Sequence, residues 1–304
     1  MKVLLAVSGG IDSMYMLHKA PELFPGASFA VAHCNFALRG SDSDGDEAFV
    51  RDACAGLGVE CFVKRFDTLG YASGHGISVE MAARELRYEW FSSLCREHGF
   101  DALATAHNAN DNAETLLLNL LRGTGTRGLR GIPCNDILRP LLGTTREEIR
   151  EWMTAEGFEW REDRTNAENG PKRNKIRNQV FPVFAEINPS FIKTLGADIE
   201  RIRQTDDIAE DYYKEAEARI VKESGGGQTE INVIGLIALK HWRYVLWRIL
   251  EDCGFSAETF DKLCTLLERY RTEPSGTVTL SGKTFQSPTF ILRGRKKALI
   301  IDKR

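Results

Sequence analysis

The sequence predicts an α/β fold, a parallel sheet with helices on both faces, followed by a smaller, mainly helical domain. Three observations carry that prediction. Short apolar runs alternate with helical periods through the first half of the chain. The runs are apolar throughout, as strands covered on both faces require. Beyond residue 189 helical periods dominate, and short apolar runs return only near the end.

Strands are expected at Lys2–Val7, Phe29–Cys34, Glu60–Phe66 and Ala102–Ala106. Helical patterns follow them at Ser13–Ala20, Asp44–Gly56, Ser78–His98 and Ala109–Arg122. Such alternation implies parallel strands, because each helix carries the chain back across the sheet. Thr145-Arg146-Glu147-Glu148 reads as a capping box opening a helix to about Glu156. Asp163–Lys175 is polar, contains Gly170-Pro171, has no period and reads as a loop. A long helix from Pro189 to about Lys222 carries Ile192, Leu195, Ile199 and Ile202 at helical spacing. Gly225-Gly226-Gly227 is a break, and helices follow at about Ile234–Asp252 and Ala257–Arg271. Thr277–Leu280, Thr289–Leu292 and Ala298–Ile301 read as a small strand set. The expected domains are residues 1–188 and 189–304.

The chain has 304 residues, room for about two domains. No apolar run approaches the ~18 residues of a membrane span, so no membrane partner is expected. Seven cysteines are an odd number and none forms a C-x-x-C pair. That argues against a zinc ribbon, a redox dithiol or a disulfide framework, and for a reducing cytoplasm. The formal net charge is -3, so a polyanionic partner must be held by local basic patches.

Ser8-Gly9-Gly10-Ile11-Asp12-Ser13 joins the first strand to the first helix. Two glycines permit a tight turn and close approach to an anion. The helix N-terminus adds N–H donors and partial positive charge, and Ser8 and Ser13 add hydroxyls. Asp12 has the wrong sign for gripping phosphate. It suits Mg²⁺ carried on the phosphates. No G-x-x-x-x-G-K-[ST] occurs, so a Walker-type loop is excluded. Gly123-Thr124-Gly125-Thr126-Arg127-Gly128 matches G-x-G-x-x-G but follows a helical pattern, so it fails as a dinucleotide fingerprint.

S-G-G-x-D-S after the first strand resembles the signature of PP-loop ATP pyrophosphatases, of the adenine nucleotide alpha hydrolase-like fold. His33–Arg39, Glu80–Tyr88, Thr105–Thr115, Arg122–Gly125, Arg139–Leu142 and Asp163…Asn166…Arg173–Arg177 stand in the order seen in the tRNA(Ile)-lysidine synthetase family. Phe36-Ala37 departs from the His-Gly common in that family, so no role for that His carries over. The resemblance runs from residue 3 to about 190 and is looser beyond. It implies ligation of L-lysine to C2 of the wobble cytidine of tRNA(Ile), with AMP and pyrophosphate released. That product turns AUG reading into AUA reading. ATP and Mg²⁺ are the implied cofactors, and a homodimer is left open.

Candidate residues follow. The loop from Ser8 to Ser13, with His33 at the second strand's end and Arg122, is expected to hold ATP. Asp111 and Glu114 lie three apart, so one helix face presents both carboxylates, fit for a lysine ammonium. His107 ends the fourth strand and is a candidate base or donor. Arg84 and Arg87 lie three apart on one helix, so one of them is expected in the site, with Arg84 the choice, and Arg39 flanks the same edge. Lys172, Arg173, Lys175 and Arg177 form a basic run suited to tRNA phosphates. A 2-thiolation enzyme is the rival within the superfamily, disfavoured by the lack of paired cysteines. A non-catalytic ATP-binding module is the rival outside it, disfavoured by the acids near the loop.

Overall fold

The computed structural model describes residues 1–133, 136–162, 172–224, 228–273 and 276–304. The described chain divides into two compact units, Met1–Arg203 and Gln204–Arg304. That division lies further along than the expected boundary at 188/189.

The first unit holds a five-stranded sheet of β1 (Lys2–Ala6), β2 (Ser28–Asn35), β3 (Cys61–Arg65), β4 (Ala102–Thr105) and β5 (Ile137–Leu138). Its order is β3-β2-β1-β4-β5 and every pairing is parallel. Helices α1 (Ile11–Leu23), α2 (Ser41–Leu57), α3 (Thr68–His75), α4 (Val79–His98), α5 (Ala109–Arg122) and α6 (Arg146–Ala155) follow the strands. Alternate residues of each strand enter different cores. Val3, Leu5, Val31 and Ala104 pack with α1, α2 and α6 residues such as Met16, Val50 and Met153. Leu4, Ala30, Ala32 and Leu103 pack with Trp90, Phe91 and Leu94 of α4. Both faces are therefore covered, which is why the strands read as unbroken apolar runs.

The strand order reverses direction between β1 and β4. Their carboxyl ends splay there and leave a crevice, the usual ligand position in such sheets. The loop after β1 and the turn after β4 both open into it.

The capping box at α6 forms as read. Thr145 Oγ1 accepts the Glu148 N–H at 3.2 Å, and Glu148 Oε2 accepts the Thr145 N–H at 2.8 Å. Lys193, 2.8 Å away, and the Thr145 backbone hold the Glu148 carboxyl down at about 2. That contribution to stability is complete above the ordinary value of 4.5 and is lost as pH falls toward about 2. Thr145→Ala should cost about 1 kcal/mol in urea unfolding at neutral pH, the worth of a lost cap.

Helices α7 (Lys172–Lys175) and α8 (Phe181–Ile187) flank a π-helical turn at Ile176–Val180. The expected loop is thus helical from Lys172 onward, because Ile176 and Phe181 anchor it in a core with Ala109, Ala113 and Leu118 of α5. The rest of that expected loop, Asp163–Pro171, lies outside the described residues, as does the glycine break at 225–227. Helix α9 (Phe191–Ile220) runs from the first unit into the second.

The second unit carries an antiparallel sheet of β6 (Val221–Ser224), β7 (Gln228–Asn232), β8 (Thr284–Gln286), β9 (Phe290–Gly294) and β10 (Ala298–Lys303), in the order β6-β7-β10-β9-β8. Helices α10 (Val233–Ala238), α11 (Trp242–Leu250) and α12 (Ala257–Thr272) pack on it through Leu236, Leu246 and Leu267. The single helix expected at Ile234–Asp252 is two, because Leu239 is extended (φ -70°, ψ 140°). Thr277–Leu280 is no strand. Its Leu280 is fully buried and its carbonyl abuts Gly294, so it serves as an anchor beside the sheet. Among the described residues no helix is long and apolar enough to cross a membrane.

Candidate active site

The loop after β1 is braced from within. Ser8 N–H donates to Ser13 Oγ at 3.1 Å, and Ser13 Oγ donates to the Gly10 carbonyl at 2.9 Å. Gly9 sits at φ +93°, a conformation a side chain would strain. Gly10 is the N-cap of α1 and has no side chain to satisfy the first-turn N–H groups. Those donors face the crevice mouth with the helix's positive end, an arrangement that binds anions. The loop is also tied from outside. Arg161 N–H donates to the Gly9 carbonyl at 2.9 Å, and Arg161 Nε and Arg39 Nη2 both donate to Asp46, at 2.7 and 2.9 Å. Arg39 therefore stands beside the loop, lining a small cleft with Ser8, Gly10 and Arg161.

Next to the loop lies a cavity of about 320 Å³. Its lining includes Ala6, Ala32 and Ala106, small residues on or just after three neighbouring strands, and the aromatic rings of Phe36, Tyr88 and Phe91. Small side chains below and aromatics around make a slot for a planar group. Arg87 lines it and lies 5.1 Å from the Phe36 ring centre. Arg84, the arginine expected here, is exposed and lies over Tyr88. His33 is not in the slot either. Strand residues alternate faces, so Ala32 and Cys34 line the slot while His33 turns to the other side, where its ring nitrogen meets the Val7 carbonyl at 2.9 Å. Arg122 ends α5, about 20 Å along the axis from that helix's first turn at 1.5 Å per residue, and lines neither the slot nor the cleft beside the loop.

His107 does line the slot, with Nδ1 2.9 Å from Thr105 Oγ1. Burial pushes its imidazole below the ordinary range, with Asp111 opposing and Arg139, Arg173 and Arg84 assisting. It is neutral at pH 7.

The charged centre begins where α5 starts. Asn108 is its N-cap, fully buried, and shares a capping box with Asp111. The Asn108 amide reaches further, donating from Nδ2 to Asp12 Oδ1 at 2.9 Å. Arg146, first residue of α6, lies 3.4 Å from Asp111 and 3.9 Å from Asp12. Its backbone N–H is fixed by Asn110 Oδ1 at 3.0 Å. Arg177 forks onto Glu114, with Nε 2.7 Å from Oε1 and Nη2 3.1 Å from Oε2, and lies 3.5 Å from Asp111. Glu114 is 0% exposed. Burial pushes its carboxyl up, Arg177 pulls it back, and the net direction is upward. Asp12 is likewise raised by burial, against the pull of Arg146.

Asp12, Asp111, Glu114, Arg146 and Arg177 thus form one chain of alternating charges beside the phosphate loop. Lys172 and Lys175 are exposed on α7, and Arg173 donates to Thr115 Oγ1 at 3.1 Å. Sequence reasoning passed over Asn108, Arg146 and Arg161, and of the helix pair Arg84 and Arg87 it favoured the one that does not line the slot. Only Asn108 carried a local signal, an Asn three residues before an Asp at a helix start. Arg146 is brought in because the Ala109 N–H donates to the Thr144 carbonyl, a contact no local pattern announces.

Residues 1–184 match the family described as PP-loop domain, and residues 223–304 match the TilS substrate binding domain. The chain is 40% identical over 291 residues to a tRNA(Ile)-lysidine synthase of Chlorobaculum tepidum, covering 90% of this chain and 86% of that one. It is 37% identical over 289 residues to one of Parabacteroides distasonis, covering 94% and 62%. It is 44% identical over 264 residues to one of Bacteroides thetaiotaomicron, covering 84% and 59%. The chain thus spans under two thirds of the length of the latter two relatives. Among solved structures, the U34-tRNA thiolase NcsA from Methanococcus maripaludis superposes with a TM-score of 0.55 at 19% identity, over 66% of this chain and 72% of that one, a likeness of fold. By its PP-loop domain and by identity sustained along nearly its whole length, this chain belongs to the tRNA(Ile)-lysidine synthase family.

Proposed function

We propose that the chain is an ATP-dependent ligase that joins L-lysine to C2 of the wobble cytidine of tRNA(Ile), giving lysidine, AMP and pyrophosphate. One observation carries this reading. The phosphate loop and the Asp111–Glu114 pair meet at the same sheet edge, so a nucleotide and an alkyl ammonium can be held side by side. The relatives' names supply the tRNA, and the second family match supports a domain that binds it.

Cytosine O2 is a poor leaving group. Its attack on the α-phosphate of ATP expels pyrophosphate and makes AMP the leaving group instead. The adenine occupies the slot over Ala6, Ala32 and Ala106. The loop N–H groups stabilise charge that grows on the phosphates, and they are already oriented before the reaction. Arg146 lies close enough to assist. The lysine ε-ammonium sits on Asp111 and Glu114, and must lose a proton before it attacks C2. Glu114, whose carboxyl burial raises, is the group proposed to accept that proton.

Mg²⁺ fits here as a passenger on the nucleotide. It commonly takes one or two carboxylates plus phosphate oxygens, and Asp12 offers a carboxylate at the loop. Among the described residues no group of three His, Cys, Asp or Glu forms a protein-only metal cage. When bound, the ion would neutralise phosphate charge, held by Asp12.

Release of pyrophosphate and AMP, measured with each substrate omitted in turn, tests the assignment. Pyrophosphate should require ATP and tRNA together, and AMP release should require lysine as well. ATP cleavage indifferent to tRNA and lysine would overturn it. We place the enzyme in the cytoplasm, in keeping with six free cysteines among the described residues. Light scattering checks for a homodimer.

Lys172 and Lys175 are three apart on α7, hence on one helix face. If both meet tRNA phosphates, replacing them with alanine should flatten the log–log salt dependence of tRNA binding by up to about two units. ATP affinity should not change. Parallel salt plots for wild type and double mutant would mean a merely solvated face.

A further inference from the structure

Glu114 is wholly buried, yet its two oxygens are already taken by a guanidinium fork from Arg177, 63 positions along the chain. The same guanidinium lies within ion-pair distance of Asp111. Two carboxylates on one helix face therefore hold a cation of this chain's own, in the place where the proposed reaction needs the cation of its amino-acid substrate. With both Glu114 oxygens engaged by the fork, a substrate ammonium must compete with the guanidinium for the same acceptors. The site cannot lose Arg177 without compensation, because two carboxylates would then be left facing each other with burial already raising one of them.

An alternative partner for Arg177 is close. Its side chain is near enough to Asp12 to feel that charge, and Asp12 begins at the phosphate loop. A polyphosphate on the loop offers a planar fork bidentate acceptors as well matched as a carboxylate, and more negative charge in one place.

We propose that Arg177 is an intramolecular competitor of lysine, held on Asp111 and Glu114 until nucleotide phosphates draw it away, so that lysine binds after ATP. This rests on the reading that Asp111 and Glu114 receive lysine. The device makes lysine a weak ligand of the free protein and couples the two substrates. It also keeps the buried acids paired when the site holds no substrate. Coupling of this kind is reciprocal, so lysine tightens nucleotide binding by the same factor.

The experiment is calorimetric titration of the full chain with L-lysine, alone and saturated with adenosine 5′-(α,β-methylene)triphosphate, which cannot be cleaved at the reacting bond. In wild type the analogue should tighten lysine binding by at least about tenfold, within the usual range of such couplings. Arg177→Met should bind lysine without nucleotide about tenfold more tightly than wild type, and its coupling factor should fall toward one. Arg177→Lys, which keeps the charge but loses the fork, should give intermediate coupling and serves if the methionine variant fails to fold. Absence of coupling in wild type overturns the proposal, and so does full coupling in Arg177→Met. Glu114→Gln separates the two levels. If it weakens lysine binding at least about tenfold while Arg177→Met behaves as wild type, the lysine site stands and the competitor falls. If it binds lysine as wild type does, the lysine site itself falls.

Discussion

Asp12→Asn should slow AMP and pyrophosphate formation by about 10²–10³-fold, the size of losing one electrostatic stabiliser of the transition state, because the carboxylate that would hold Mg²⁺ against the phosphates is gone. The substitution keeps the side chain's shape. The new carboxamide can still accept from Asn108 Nδ2, now 2.9 Å from Oδ1, so the helix start of α5 stays tied to the loop. Arg146 retains Asp111 at 3.4 Å. What disappears is one negative charge at the phosphate loop. A solely structural role for Asp12 predicts little loss, because the hydrogen bond survives. Removing this buried charge relieves a desolvation penalty, since burial is the first cause raising its carboxyl. The variant should therefore unfold at a temperature no lower than wild type by more than a few degrees. Single-turnover formation of AMP by a folded variant, compared with wild type at saturating ATP, lysine and tRNA, is the measurement. Near-normal turnover would remove Asp12 from the chemistry and leave the loop N–H groups to act alone.

That loop was legible because its information is contiguous. Six residues carry the turn, the donors and the acid, and they lie between a strand and a helix. Strands β1 to β4 were legible for a related reason, since burial on both faces leaves no polar interruptions. The edge strand β5 is only Ile137–Leu138, too short to make a pattern. Helix α3 contains Gly70 and Gly74 and no apolar period, and it forms because the Asp67 side chain caps it and Thr68 and Ala72 are buried. Strands β6 and β7 are half polar and follow directly on α9, whose period masks their start. In the site, what stayed hidden is what depends on sheet faces and long-range pairing. His33 and Cys34 are neighbours in sequence and lie on opposite faces. Arg84 and Arg87 share a helix, and only Arg87 lines the slot. Arg177 belongs to a basic run that reads as an RNA contact, and only the family resemblance leaves open a place for it in the active site. Its partner Glu114 comes from another helix, and no local spacing could announce it.

Glu114→Gln should weaken the use of lysine by about 1.5–3 kcal/mol, the worth of a charge-assisted hydrogen bond, which is roughly a 10- to 150-fold rise in the lysine KM. The carboxamide has the same volume and one oxygen that still accepts from Arg177 Nε. The fold should persist, because the buried pocket is neither enlarged nor left with a bare carboxylate. Asp111 remains to attract the substrate ammonium, so binding weakens without vanishing in turnover assays at high lysine. The rate at saturating lysine should also fall, since the group best placed to take the ε-ammonium proton is gone and Asp111 is the more exposed of the pair. ATP affinity should not fall, and any change should be toward tighter binding, because a loosened Arg177 is freer to meet the phosphates. Glu114 pairs with Arg177 rather than with the loop, and Asp12 keeps Asn108 and Arg146 as its neighbours. Initial rates over a matrix of ATP and lysine concentrations, at saturating tRNA, separate these effects. A collapse of ATP affinity with unchanged lysine dependence would make the two acids part of the nucleotide and metal site. The ammonium would then have to be received elsewhere, with His107, neutral and at the slot wall, the next group to test as its base.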